Sequence, residues 1–419
     1  VSSPSATEPG WAPTGRTVAA VCAVGILVVG QLYVVLPVLN KLAADWDTSK
    51  SAATWTTTAF GLAYGVGFLV TGPLSDRWGR RPVIVGGLLA TVVSSLLVAA
   101  APGLVSGLAA RILQGLTASF FAPAAFAYLS ERIAPERRVF ALTCLTSSFL
   151  GAGVVAQVLA QLIGNALGWH AIFVAGAIVF VLSAVLLRVV LQAPAGSGDT
   201  NETAAKDDST HEGSGVRGAL APYVFLLRQS RLALLYLSCL AILGSFVGIY
   251  TGIQLAPPAG IGSGNTALLA LRASAIPAMV AVPLLAGRLG SIAPATRLVT
   301  ALAAAAVAVA VTTIPWGGVW VAVWLFVFVT AVAVAAPAAV QAIAVSAGAA
   351  RGTATALYTF ALFVGASAGP QLANLAARVG YSAVALSMAA AAAVGAALAR
   401  AASRARVPVS IGVVETVRE

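Results

Sequence analysis

The sequence predicts an all-α integral membrane protein with twelve transmembrane helices in two six-helix bundles and both termini on the cytoplasmic side. Three observations predict it. The 419 residues are 59% hydrophobic and only 9% charged, with a mean hydropathy of +0.95, far too apolar for a soluble globular chain. Apolar runs of about 20 residues, each long enough to cross roughly 30 Å of hydrocarbon, recur along nearly the whole length. Lysine and arginine, finally, gather in alternate loops between those runs.

The expected spans cover residues 18–39, 52–74, 82–101, 103–129, 139–163, 169–191, 232–255, 265–287, 296–314, 318–340, 353–376 and 382–399. The first run has a polar flank, no small-residue cleavage pattern after it and too great a length for a signal core. It is expected to stay in the mature protein. Between Gln192 and Gly218 the composition turns to "APAGSGDTNETAAKDDSTHEGSG", polar, acidic and rich in small residues, as a flexible linker requires. The chain thus divides into an N-terminal tail (1–17), a first bundle (18–191), a linker (192–231), a second bundle (232–399) and a C-terminal tail (400–419). Equal helix numbers point to an internal repeat, and one trace survives: Gly72-Pro73-Leu74 after span 2 parallels Gly287-Arg288-Leu289 after span 8, with Ser291 standing where Asp76 would fall. Two such bundles are expected to rock about a site at the midplane.

A net charge of +11 raises the question of a nucleic-acid partner, and its distribution answers it. With the N-terminus inside, 19 of the 24 lysines and arginines fall in cytoplasmic segments, whereas Lys41, Lys50 and Arg378 alone lie on the opposite side. Topology accounts for the charge, so no nucleic acid is expected. Cys22, Cys144 and Cys239 sit within apolar spans without metal or CxxC spacing and read as packing residues.

The loop after span 2 reads "GPLSDRWGRRP", Gly72 to Pro82. Gly72 is expected to let two helices approach closely, and Gly79 to permit a tight turn that a Cβ would strain. Asp76 can face a helix N-terminus, a contact worth about 0.3–1 kcal/mol and about 2 if partly buried. Arg77, Arg80 and Arg81 can fix topology and touch lipid phosphates. The pattern Gly72-x-Leu74-x-Asp76-Arg77-x-Gly79-Arg80-Arg81 resembles the loop 2–3 signature of the major facilitator superfamily. In span 4, "ARILQGLTASF" is similar to that family's Arg-x-x-Gln-Gly element, as Arg111, Gln114 and Gly115. "ERIAPERR" (Glu131 to Arg138) and "GWHAIF" (Gly168 to Phe173) are also family-like. The resemblance implies that Asp76 meets the start of span 11, near Gly352 and Thr353, bridging the halves and favouring an outward-open state. It implies that Arg111 takes part in coupling, and that spans 1, 4, 7 and 10 line the cavity. Gln31, Tyr33, Phe120, Tyr250 and Gln254 are then the cavity-lining candidates. The family's antiporter element in span 5 departs here, because "GAGVVAQVLAQ" keeps the small residues and lacks the proline.

Ionisable residues inside a membrane default to functional hypotheses. Two lie deep within the expected spans, Arg111 and Arg272, with Arg188 and Arg297 at cytoplasmic span ends, while all 13 acids lie elsewhere. Without a buried anion a lipophilic cation has no partner, so neutral, zwitterionic or anionic substrates are favoured. Arg111, Gln114 and Arg272 are the coupling or substrate candidates. Arginine keeps its proton, so Arg111 can act by exchanging partners, for example backbone carbonyls of span 1 near Gln31, or by pairing with a substrate carboxylate. A structural hydrogen-bond hub is the alternative. Arg272 lies about 12 Å past the outer end of span 8, from where a long side chain can also snorkel. Trp46, Trp55, Trp169 and Trp316 read as an outer aromatic belt.

"GASAG" (Gly365 to Gly369) matches a hydrolase elbow, but Ser367 falls mid-span without acid or histidine partners, and helix packing through Gly365 and Gly369 is the better reading. No zinc, phosphate-loop or dinucleotide pattern occurs. The expectation is therefore not an enzyme but a secondary active transporter working by alternating access: proton-linked efflux of a neutral or anionic drug or metabolite. The alternative is a facilitator or importer of such a metabolite, uncoupled from protons, and a third is a non-transporting receptor or scaffold. No cofactor or metal is expected, with the proton gradient as driving force. The expected partners are a small-molecule substrate and the lipid bilayer, the protein being a monomer. An arginine-to-lysine ratio of 21 to 3 with heavy alanine use fits a GC-rich bacterial genome, hence the bacterial cytoplasmic (inner) membrane.

Overall fold

The computed structural model describes residues 11–192, 223–258, 261, 265–275, 277–278 and 292–405, without the side chains of Pro73, Asp76, Val139, Leu150, Asn265, Thr266, Ala349 and Arg351. Every regular element described is helical. The first half holds α1 (Thr14–Gly30), a 3-10 turn (Leu36–Val38), α2 (Leu39–Asp45), α3 (Lys50–Ala53), α4 (Trp55–Trp78), α5 (Arg80–Ala99), α6 (Leu104–Ala118), α7 (Phe121–Arg132), α8 (Pro135–Leu167) and α9 (Trp169–Val190). The second holds α10 (Ser230–Leu255), α11 (Asn265–Ala273), α12 (Pro294–Val311), α13 (Gly318–Ala347), α14 (Arg351–Ala377) and α15 (Tyr381–Arg404). Nine helices among the described residues are long and apolar enough to cross a membrane, with α6 and α7 counted as one. Most of the linker, the far end of span 8 with Gly287 to Ser291, and most of both tails lie outside the described residues.

Local chemistry sets the breaks. Proline lacks an N–H and its ring clashes with the carbonyl four residues back. Pro37 accordingly sits in the 3-10 turn that keeps the chain after Gly30 from resuming an α-helix before Leu39, where span 1 is expected to run unbroken to residue 39. Pro123 likewise follows the break between α6 and α7 at Ser119 and Phe120. Gly79 joins α4 to α5 at φ 88°, a left-handed backbone suited to glycine, as its place in the loop predicts. Ser49 caps α3, its Oγ accepting from the Ala52 amide at 3.0 Å.

In the first half α1 packs on α8, α4 on α6, and α5 on both α6 and α9. In the second, α10 packs on α14 and α15, and α12 on α13 and α15. Among the described residues the halves meet chiefly where α4 packs against α14 and α11 against α8, with smaller contacts of α10 with the Leu36–Val38 turn and of α13 with α8. Ile178, Leu182, Val185 and Val189 form an exposed apolar stripe along α9, the face a lipid-contacting helix presents.

Close helix approach is made at glycines other than Gly72. A Cβ added to Gly365 or Gly369 of α14 would overlap the carbonyl oxygens of Leu240 and Gly244 of α10, so these two helices touch backbone to backbone. Ser367 between them donates its Oγ to Phe363 O at 2.7 Å within α14. At Gly72, by contrast, no described atom lies within 4 Å of the Cβ position. The expected belt is also corrected. Trp46 and Trp169 are buried and packed edge to face, 5.4 Å between centroids, because each indole N–H has found an acceptor: Ala101 O at 3.0 Å and Asp45 Oδ2 at 2.6 Å. Trp55 and Trp316 alone of the four are exposed.

Gly369→Leu is expected to lower the stability of detergent-solubilised protein by about 3 kcal/mol, the upper end for overpacking against backbone that cannot give way. Gly72→Ala is expected to be neutral or stabilising by about 0.5 kcal/mol. Thermal unfolding of both variants checks the contrast.

Candidate functional site

Arg111 sits in the middle of α6 with no solvent exposure. Its Nη2 donates to Gln31 O at 2.9 Å, its Nε to Thr56 O at 3.2 Å and its Nη1 to Gln114 Oε1 at 2.5 Å. The guanidinium lies 4.4 Å from the Phe60 ring centroid, a cation–π contact. Gln114 in turn donates to Gln31 Oε1 at 3.1 Å and to Ser95 Oγ at 2.8 Å. The group therefore links the end of α1 to α4, α5 and α6. Each acceptor is neutral, and each belongs to the first half.

Arg272, at the end of α11, does not snorkel: it is 1% exposed. Its Nη2 donates to Gln254 Oε1 at 2.7 Å, its Nε to Gln157 Oε1 at 3.3 Å and its Nη1 to Gln161 Oε1. Gln157 and Gln161, one turn apart on α8, belong to the first half, while Gln254 stands on α10 of the second. Side-chain amides from both halves thus close around one cation. Below them Tyr33 meets Phe246 edge on, 5.7 Å between centroids, and Phe246 lies 5.1 Å from Tyr250. The Tyr250 hydroxyl is buried and has no hydrogen-bond partner.

The second contact between the halves is a polar seam of α3 and α4 against α14. Asn374 Nδ2 donates to Ser51 Oγ at 2.6 Å, and Gln371 Nε2 to Thr58 Oγ1 at 2.9 Å and Thr54 Oγ1 at 3.2 Å. Thr58 Oγ1 donates to Ser367 O at 2.7 Å. Farther along, the Tyr64 and Phe363 rings lie 4.4 Å apart, and a Cβ on Gly65 would sit 3.3 Å from Phe363 Cβ. Thr58, Gly61, Gly65 and Gly72 fall on one stripe of α4 at helical spacing. The seam is closed at the first three and open at Gly72.

The loop residues mostly serve their own half. Arg80 pairs with Glu131, Nη2 to Oε1 2.8 Å, and donates from Nη1 to Ser75 Oγ at 2.6 Å. Arg81 Nη2 donates to Arg188 O at 2.5 Å, near the C-terminal end of α9, where cations are favoured. Arg77 is exposed. The Asp76 side chain lies outside the described residues; its proposed partner, the start of α14, begins at Arg351 after a turn in which Gly348 has φ 55°. Of the lining candidates, Gln31, Tyr33, Tyr250 and Gln254 lie near the two arginines or between the halves. Phe120 does not: it packs over Gly87 of α5, within the first half.

Sequence reasoning does not single out Gln157 and Gln161, the two glutamines of "GAGVVAQVLAQ", as partners of Arg272. It missed Thr54, Thr58 and Gln371 of the seam, for which the i, i+4 spacing of the threonines and the i, i+3 spacing of Gln371 and Asn374 were the available signal. It also placed Arg297 at a cytoplasmic span end, whereas this residue is buried in the first turn of α12 and donates to Gln341 Oε1.

Across residues 21–370 the chain matches the family model described as Major Facilitator Superfamily. It is 35% identical over 139 residues to the chloramphenicol resistance protein of Pseudomonas aeruginosa, covering 33% of each chain. It is 28% identical over 282 residues to the cephamycin export protein CmcT of Amycolatopsis lactamdurans, 61% of this chain and 55% of that one. A multidrug resistance protein B homolog of Mycobacterium tuberculosis is 28% identical over 151 residues, 36% of this chain and 28% of the relative. The chain thus spans well under two thirds of the length of these relatives. The family match over most of the chain, joined to an apolar helical architecture built to cross a membrane many times, makes this protein a member of the Major Facilitator Superfamily of membrane transporters.

Proposed function

We propose that the chain is a secondary active transporter that exports a small neutral or anionic organic compound across a bacterial cytoplasmic membrane by alternating access, linked to the proton gradient. The observation that carries this reading is the seam between α4 and α14, closed from Ser51 to Gly65 and open at Gly72. With the cations of the Gly79 loop on the cytoplasmic side, the closed end faces outward and the conformation is inward-facing. The seam is made of neutral hydrogen bonds worth about 0.5–1.5 kcal/mol each, strong enough to hold a gate and weak enough to release it. In the opposite state Asp76 would take over as the latch on the α14 N-terminus. Efflux is supported by the relatives named for resistance and export.

Substrate charge follows from the two arginines buried to within 1% of full burial, Arg111 and Arg272, which disfavour a bare cation on electrostatic grounds. Proton linkage then rests on groups other than a carboxylate within the described spans, because none is present there. Arg111 exchanging its carbonyl partners, or the substrate carrying the proton itself, would supply it. That same absence favours an uncoupled facilitator as the second reading.

Three measurements test these assignments. Cysteines placed at positions 51 and 374 should cross-link readily at rest and lose most of that cross-linking when transport is under way; a yield independent of turnover would remove the gate. Arg111→Lys should reduce transport at least tenfold, since a lysine cannot reach three acceptors in a fork, with wild-type rates returning Arg111 to a packing role. In proteoliposomes, an imposed pH gradient should drive accumulation of neutral or anionic compounds; movement indifferent to the gradient would establish the facilitator.

A further inference from the structure

We propose that Arg272 is the docking point for an anionic group on the transported compound, a carboxylate or similar oxyanion, and that its arrival releases the contact between α8 and α11. This rests on the alternating-access reading above and names the chemistry that triggers it.

The two buried arginines differ in what holds them. Arg111 is fixed by two backbone carbonyls, Gln31 O and Thr56 O, which cannot swing aside, and lies under the Phe60 ring. Arg272 is held by three glutamine side chains and, among the described residues, by no backbone atom. Each glutamine has three rotatable bonds and can turn its carbonyl away without moving a helix. A carboxylate offers a planar, charged pair of oxygens that binds a guanidinium roughly twice as strongly as a neutral amide does. It would therefore displace Gln161 and Gln254 from the Nη atoms. No acid is among the partners of Arg272, so a buried cation stands without a counter-ion, an arrangement that an incoming anion stabilises and an incoming cation does not. The Tyr250 hydroxyl, fully buried and with no partner among the described residues, stands one turn before Gln254 on the same face of α10 and would donate to the same anion. Since Gln161 belongs to the first half and Arg272 to the second, its displacement leaves the long 3.3 Å bond from Nε to Gln157 to hold this joint and so loosens one of the two main joints between the halves.

The test uses the full chain with Cys22, Cys144 and Cys239 replaced by alanine and Ser51→Cys and Asn374→Cys introduced as a reporter of the seam. The probes are benzoate, salicylate and 1-naphthoate, each paired with its own primary amide. At least one carboxylate is expected to lower cross-linking at concentrations about tenfold or more below its amide, and Arg272→Gln to abolish that difference, the size expected for a hydrogen bond to a charged group. Gln254→Leu removes a competing acceptor and is expected to sharpen the carboxylate response by about three- to tenfold; a merely structural glutamine would weaken it. Equal action of acid and amide, no response to any carboxylate, or a carboxylate response that survives Arg272→Gln would overturn the proposal. Cross-linking that responds to the amides alone overturns the anion site while leaving the gate in place. Cross-linking that no condition of turnover alters removes the gate itself.

Discussion

Two guanidinium groups inside this protein have no carboxylate to meet them, and much of the helix arrangement follows from where neutral oxygen can be found for each. An unsatisfied charge in hydrocarbon is far too costly to tolerate, so donors must be paired inside the protein. For Arg111 the supply comes from a broken helix. α1 gives way after Gly30 to a run of tight turns that leads into the 3-10 segment holding Pro37, and the carbonyl of Gln31 is left facing inward, where Arg111 takes it at 2.9 Å. The break in the first span is thus the counterpart of the charge in the fourth. Removing either would leave the other in deficit.

The second arginine solves the same problem across the boundary between the halves. Its acceptors come from α8 and α10, so satisfying the charge and holding the halves together are one event. The seam of α3 and α4 with α14 adds a second joint of uncharged groups. Inside the second half, the opposite logic prevails. α10 and α14 approach until backbone meets backbone at Gly244, Gly365 and Gly369, a contact with no polar side chain in it and nothing to switch. On the alternating-access reading proposed above, rigid packing within a half and exchangeable hydrogen bonds between halves would divide the molecule into bodies that move and joints that let them.

The helices were legible in the sequence because span length is set by the bilayer, and α5, α9 and α10 begin and end within two residues of expectation. Gly79 was legible too, since a positive φ leaves a mark in residue choice. Partnership was not. Hydropathy places Arg272 at a depth but does not say that glutamines on α8 and α10 converge on it, because those residues are about 20 to 115 positions away and each alone resembles interhelical glue. Depth alone misled for Trp46 and Trp169 as well: a tryptophan at a helix end looks interfacial until a neighbouring carbonyl or Asp45 draws its indole inward. Gly72 failed for a different reason. Its stripe on α4 continues that of Thr58, Gly61 and Gly65, but no described atom comes within 4 Å of its Cβ position, and spacing along a helix says which face a residue shares, not how near the facing helix comes.

A gate built from neutral contacts must also be balanced. Moving a two-state equilibrium from 1:99 to 99:1 takes about 5.5 kcal/mol of differential binding. One charge-assisted hydrogen bond contributes about 1.5–3 kcal/mol, which is short of that span. An anion at Arg272 can therefore open the joint only if the two conformations already differ by little. Four neutral bonds in the seam, at about 0.5–1.5 kcal/mol each, lie in the range that a contact at the other end can match. A buried carboxylate opposite Arg272 would destroy this balance: it would occupy the guanidinium permanently, lock α11 to α8 and leave an arriving anion nothing to displace. The absence of acids from the described spans is in this light a condition for movement rather than a gap in the machinery.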